Sequence, residues 1–204
     1  MPGREDELKL EERVRETVNE YGMRQDLWEI VRVLLLSIAI VLPIRYFIAQ
    51  PFIVRGASME PNFHDSQYLI IDEASLLFRE PHRGEVVVFR YPRDRSQFFI
   101  KRIIALPGEE ISIREGRVVI SNAEHPTGFA LEESYLDPPG RLSYPDMLPR
   151  KLDRDEYFVM GDNRDASSDS RIWGMLDRKL ITGRTFLRVW PASQFGIVTS
   201  VATD

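Results

Sequence analysis

Residues 98–120 read FFIKRIIALPGEEISIREGRVVI, and the alternation of apolar runs with turn residues in that stretch decides the fold class. Phe98 to Ala105 and Ile111 to Ile120 are short, rich in β-branched and aromatic residues, and separated by Pro107-Gly108, a pattern that favours strands over a packed helix. Within the second run Glu115-Gly116 divides Ile111-Ser112-Ile113 from Val118-Val119-Ile120, and a glycine there can take the positive φ of a tight hairpin. Outward from this core, Tyr68 to Ile71, Glu85 to Tyr91 and Phe158-Val159-Met160 repeat the pattern, and Thr185 to Trp190 reads as a closing strand that stops at Pro191. The expected class is mainly β, an antiparallel sheet or barrel. Residues 122–156 carry five prolines and many charges, so they are expected to form a loop-rich insertion.

Ahead of the β-rich part, residues 27–48 read LWEIVRVLLLSIAIVLPIRYFI, a length of 22 residues that matches the ~20 needed to cross a bilayer. Val33 to Ile44 are free of charge, while Glu29, Arg32 and Arg45 sit towards the ends and Trp28 and Tyr46 suit the two interfaces. One N-terminal transmembrane helix is expected, with a buried helix as the alternative because the charge-free run is only twelve residues long. Residues 1–26 hold five Lys or Arg and eight Asp or Glu, with Leu10, Val14, Val18 and Tyr21 near helical spacing, which predicts a short amphipathic segment. Its apolar face would meet the membrane, a partner or its own chain. The expected organisation is therefore 1–26, a span over 27–48, and a β-rich domain over 49–204. Positive charge does not orient the span, because Arg24 and Arg32 on one side are answered by Arg45 and Arg55 on the other.

The 204 residues carry a net charge of -5, without the basic footprint that phosphate neutralisation requires, so no nucleic-acid partner is expected. There is no cysteine, which excludes disulfides and thiolate chemistry. His64, His82 and His125 are widely spaced and match no zinc pattern, so neither a metal nor another cofactor is expected.

A serine hydroxyl needs a neighbouring base, and a lysine can serve if burial disfavours its ammonium form. In an extended strand Phe99, Lys101 and Ile103 point one way, so an amine framed by them would be desolvated. Ser58 follows Gly56-Ala57, which leaves room for a substrate backbone, and Pro61 restrains the turn after it. Gly161 to Arg171 pack five charged groups and three serines into eleven residues, the composition of a solvated loop or of a hydrogen-bonded network. A calcium loop fits poorly, since Arg164 and Ala166 stand where oxygen ligands belong.

Four blocks in order, Gly56-Ala57-Ser58-Met59-Glu60-Pro61, Phe99-Ile100-Lys101-Arg102, Pro107-Gly108-Glu109 and Gly161 to Arg171, resemble the motifs of type I signal peptidases, and Arg83 to Phe89 resembles a further family strand. The likeness runs from the apolar segment to Pro191. It implies a membrane-bound serine endopeptidase in which Ser58 is the nucleophile and Lys101 the general base, acting through an acyl-enzyme. It further implies that Ser167 orients the lysine amine, that Asp162 pairs with Arg102, and that Asp169 and Arg171 brace the site. Met59, Phe99 and Ile100 match positions that line the pocket for small residues. The implied substrates are secreted preproteins cut after small residues, typically Ala-x-Ala, by a catalytic domain outside the cytoplasm with the N-terminus inside. Membrane lipid and the secretion translocon are the implied neighbours, and the plasma or the thylakoid membrane the implied location.

Gly56 departs from those members that carry a serine two residues before the nucleophile, which leaves the second oxyanion donor unassigned. A self-cleaving repressor of the SOS family also uses serine and lysine, but that reading predicts a DNA-binding module, where this chain has an acidic segment. A membrane-tethered β domain that only binds is the non-enzymatic alternative. The S-x-x-K spacing fails at Pro61 and the G-x-S-x-G elbow at Glu60.

Overall fold

The computed structural model describes residue 13 and residues 27–41, 49–136 and 145–200. The chain divides into two units, 1–46 and 47–204. In the first, residues 27–41 form helix α1, whose side chains are nearly all exposed, Leu34, Leu35 and Leu36 included. Among the described residues no helix is long and apolar enough to cross a membrane. The remainder of the expected span, 42–48, and all of the expected amphipathic segment but residue 13 lie outside the described residues.

The second unit holds twelve described strands. In chain order they are β1 (Ala49–Ile53), β2 (Tyr68–Asp72), β3 (Val86–Tyr91), β4 (Asp94–Ala105), β5 (Glu110–Arg114) and β6 (Arg117–Ser121). After them come β7 (Phe129–Ala130), β8 (Met147–Lys151), β9 (Glu156–Met160), β10 (Leu176–Asp177), β11 (Ile181–Trp190) and β12 (Gly196–Ile197). The larger sheet runs β1-β2-β11-β3-β4-β9-β10 with β12 on β11, and the smaller runs β7-β6-β5-β8. The described pairings are antiparallel, and none joins β1 to β10, so of the two forms expected from the sequence the sheet is found and a closed barrel is not. The β5–β6 hairpin turns at Glu115 (φ 51°) and Gly116 (φ 74°), the two positive values that match the twist of its strands.

β11 returns late in the chain to lie between β2 and β3, so the strand ending at Pro191 closes the core rather than extending an edge. Within the expected insertion, 122–156, two strands form: β7 pairs with β6 and β8 with β5. β8 is an edge strand whose pairing shifts register beside Pro149, and a proline without an N–H is tolerated at such a position.

Alternation on β3 shows how the large sheet is filled. Val87 and Phe89 pack on one face with Ile103, Tyr157, Val159 and Trp173. Val86 and Val88 pack on the other with Val54, Met59, Phe63 and Leu69. A third cluster joins Ile104 and Phe158 of the large sheet to Ile111, Ile113, Val118 and Ile120 of the small one. The segment carrying Ser58 is thereby fixed to one face of the strands that carry Lys101.

Candidate active site

The chain leaves β1 and turns through residues 54–67, closed by the Val54 amide donating to Gln67 O (2.9 Å) and the Ser66 amide to Val54 O (2.9 Å). Gly56 makes the turn at φ 82°, and its amide donates to Asp65 Oδ1 at 2.7 Å. That amide is therefore engaged and does not supply the missing oxyanion donor. Met59 is wholly buried and anchors the turn from below, which leaves Ser58 at the surface of a fixed loop.

Lys101 comes to Ser58 from β4. Its Nζ lies 2.7 Å from Ser58 Oγ, donates to Ile100 O at 2.8 Å, and sits 5.5 Å from the centre of the Phe99 ring. The residue is 3% exposed. Burial lowers its pKa to about 8, against the opposing fields of Asp169 and Asp162, which favour the ammonium. A substantial neutral fraction near neutral to mildly alkaline pH is the consequence.

Both carboxylates belong to the loop from Gly161 to Arg171, which is pressed against the turn that carries Ser58. The Asn163 amide donates to Ser58 O at 3.1 Å and Asn163 Nδ2 to Ala57 O at 3.1 Å. A Cβ on Gly161 would collide with Ser58 O and Ser167 Oγ, so only glycine permits this approach. Asp162 takes a two-pronged contact from Arg102, Nε at 2.8 Å and Nη2 at 2.6 Å, while Arg102 Nη1 donates to Gly84 O at 2.8 Å. Asp169 accepts from Arg171 Nε and Nη2, both at 2.8 Å, and from the Gly161 amide at 3.0 Å. It also caps helix α2 (Ser170–Trp173) by accepting from the Arg171 amide. Burial pushes the Asp169 carboxyl up, but Arg171 and the Gly161 amide together hold it below the usual range.

The structure thus brings Ser58, Lys101, Asp162, Arg102, Asp169 and Arg171 together. Ser167 is buried beside Asp169, and among the described residues no hydrogen bond joins it to Lys101. Met59 is corrected: it is 0% exposed and packs in the core with Phe63 and Leu69 instead of lining a pocket, because its place one residue after Ser58 turns it inward.

Sequence reasoning missed a second layer. Glu133 forms a two-pronged, buried ion pair with Arg164, whose Nε donates to Gly161 O at 2.9 Å. The Tyr135 hydroxyl donates to Glu133 Oε1 at 2.8 Å, and its ring lies 4.1 Å from the Arg102 guanidinium carbon. Asn62 Nδ2 reaches both Asp162 Oδ2 (2.9 Å) and Tyr135 O (2.8 Å). Glu133 and Tyr135 stand in a proline-rich, charged segment where nothing in the local sequence separates a buried acid from a solvated one.

A groove of about 520 Å³ opens beside Ser58 and Lys101, with Phe52, Ile53, Leu69, Phe98, Phe99 and Ile100 among its walls. Among the described residues β1 has only β2 as partner and β4 meets β9 only from Arg102 onward, so both strands present an unpaired edge to the groove. Phe52 and Phe98 meet edge to face across it at 5.2 Å.

Residues 27–190 match the family described as signal peptidase, peptidase S26. Signal peptidase I of Leptolyngbya laminosa is 35% identical over 178 residues, 83% of this chain and 83% of that protein. Thylakoidal processing peptidase 1, chloroplastic, of Arabidopsis thaliana is 31% identical over 160 residues, 74% of this chain and 44% of that protein. A crystal structure of a signal peptidase I from Enterococcus faecalis aligns at 28% identity with a TM-score of 0.42, covering 52% of this chain and 97% of that one.

Proposed function

The chain belongs to the signal peptidase family, peptidase S26, and we propose that it removes signal peptides from preproteins with Ser58 as nucleophile and Lys101 as its base. The observation that carries the mechanism is the 2.7 Å contact between a half-exposed hydroxyl and an amine 3% exposed. Neutral Lys101 takes the Ser58 proton as Oγ attacks the scissile carbonyl. The Ser58 amide donates to the oxyanion that forms. The ammonium then protonates the leaving amine, the acyl-enzyme remains, and Lys101 in turn activates the water that releases it. Asp162 with Arg102, and Asp169 with Arg171, hold the loop that shields the amine. No step needs a cofactor.

The substrate segment lies extended in the groove, adding its backbone to the open edges of β1 and β4, so that alternate side chains face the apolar walls. The Phe52–Phe98 contact and the walls at Phe99 and Ile100 favour small residues, in keeping with Ala-x-Ala before the cut. Residues 27–48 anchor the enzyme, as their length and the exposed apolar side chains of α1 suggest. The catalytic unit then works outside the cytoplasm, close to the translocon that delivers its substrates.

The full chain, purified in detergent, should cleave a preprotein at its Ala-x-Ala site and lose that activity in both Ser58→Ala and Lys101→Ala. Full activity in the two variants would overturn the mechanism while leaving the family intact.

A further inference from the structure

Behind the catalytic strand lies a second cavity, of about 430 Å³, among whose walls are Asn62, Phe63, Arg102, Arg188, Gln194 and Thr199. Neighbours on an extended strand point to opposite faces, so this cavity, reached by Arg102, is on the other side of β4 from Lys101. Two guanidinium groups border it, and among the described residues its lining includes no aspartate or glutamate.

The two arginines differ in how they are satisfied. Arg102 spends its three nitrogens on Asp162 and Gly84. Arg188 has no ion pair among the described residues; its Nη2 donates to Asn62 O at 2.6 Å and its Nη1 to Gln194 Oε1 at 3.2 Å. Its Nε is buried without a partner, and its face lies on the Phe63 ring at 5.1 Å. Two of five N–H groups are thus engaged, both by neutral oxygens. Burial without a counter-charge pushes the Arg188 pKa below its ordinary value. A half-buried cation facing a roomy cavity, and lacking the acid that every other buried arginine here has found, is a group awaiting an anion.

We propose that this cavity is a binding site for a phosphate ester, whose oxyanion takes the unengaged Nη N–H groups of Arg188 and the Thr199 hydroxyl. A guanidinium favours the forked geometry of phosphate oxygens. The cavity is larger than a bare phosphate fills, and its walls at Phe63, Ile197 and Val198 suit the organic part of an ester. Beside it Phe195 and Ile197 are 65% and 66% exposed, so the ester carries either a small polar group or, in a lipid headgroup, acyl chains that meet these side chains. Neither Ser58 nor Lys101 borders it, and Arg102, whose guanidinium is committed to Asp162, is the group it shares with the candidate active site.

The full chain in phosphatidylcholine nanodiscs, labelled with ¹⁵N-arginine, provides the test. The Arg188 Nε–H resonance is assigned by its loss in Arg188→Lys. It should shift saturably with glycerol phosphate, or with phosphatidylglycerol added to the nanodisc, but not with sodium chloride and glycerol at matched ionic strength. A response to glycerol phosphate identifies a soluble ester, and a response to phosphatidylglycerol alone identifies the lipid. Thr199→Val, which leaves the guanidinium in place, should weaken the response several-fold, and Arg188→Gln should remove the associated rise in melting temperature. Silence of the wild-type resonance in both arms, or an equal response in Thr199→Val and an equal melting shift in Arg188→Gln, overturns the proposal, whatever the variants do to cleavage.

Discussion

Lys101 and Arg102 are neighbours on β4, each 3% exposed, and the two faces of the strand treat their charges in opposite ways. Arg102 is met by both oxygens of Asp162, by Gly84 O and by the Tyr135 ring, so its permanent charge is compensated on every side. Lys101 touches a hydroxyl, its neighbour's carbonyl and an aromatic ring, with its two nearest fields arriving from carboxylates already committed to arginines. A guanidinium cannot shed its proton, so a buried one must be paired. An ammonium can, and leaving it unpaired turns burial into basicity. In the proposed mechanism the paired face holds the geometry rigid and the unpaired face does the chemistry.

Exchanging the two kinds of cation breaks this contrast most sharply. Lys101→Arg keeps a positive charge at the site but has no neutral form to accept the Ser58 proton. The expected loss is about 10³-fold or more in kcat with a smaller change in KM, read by initial rates on a preprotein. Cleavage within tenfold of the wild type would mean that the amine is not the base.

On the paired face the effect should appear in stability instead. Asp162→Asn leaves Arg102 charged and buried without its counter-charge, a change expected to cost about 3–5 kcal/mol in urea titration of the catalytic unit. Glu80→Gln is the control, since the Glu80–Arg178 pair is exposed at its acid and should cost under about 1 kcal/mol. Equal losses would mean that burial does not separate the two pairs.

The unpaired face has its own signature in pH. With the folded pKa near 8 and an ordinary value of 10.5, Lys101 is protonated in both states below pH 8, where its burial penalty is fully present. Between about 8 and 10.5 the unfolded chain holds a proton that the folded chain has lost, so stability rises with pH across that window. The full rise is about 3 kcal/mol, and it should be absent from Lys101→Met. The rate should climb through the same pKa as the amine becomes neutral. A flat difference between wild type and variant would show an amine of ordinary basicity.

The unequal legibility of the two faces follows from the same physics. Strands β2, β3, β4, β5 and β6 were readable because half-buried strands need β-branched residues, and the hairpin because Glu115-Gly116 had to supply positive φ. Ser58 and Lys101 were readable through motif likeness, and Lys101 also through its apolar flanks at Phe99 and Ile103. β8 hid behind Pro149, since the loss of one N–H matters little at an edge. Glu133 and Tyr135 hid because their burial depends on Arg164, 31 and 29 residues away, and no local pattern records a partner that distant. Met59 was misplaced for a simpler reason: a residue next to a nucleophile faces either the substrate or the core, and sequence alone does not choose.

Two glycines sharpen the comparison at its smallest scale. Gly161 has no left-handed φ but no room either, so Gly161→Ala must push the loop away from Ser58 O and from Ser167. A displacement approaching 1 Å at the dyad would lower kcat by about 10²-fold. Gly56 is the reverse case: a Cβ there meets nothing within 4 Å, but φ is +82°. Gly56→Ala should therefore cost only the backbone penalty, about 1–2 kcal/mol of stability, with the Asp65 contact to its amide retained. Since that amide is already engaged, the rate should fall far less than in Gly161→Ala. A larger loss at Gly56 would place the second oxyanion donor in this turn after all, and a crystal structure of the variant with a bound peptide aldehyde would locate it.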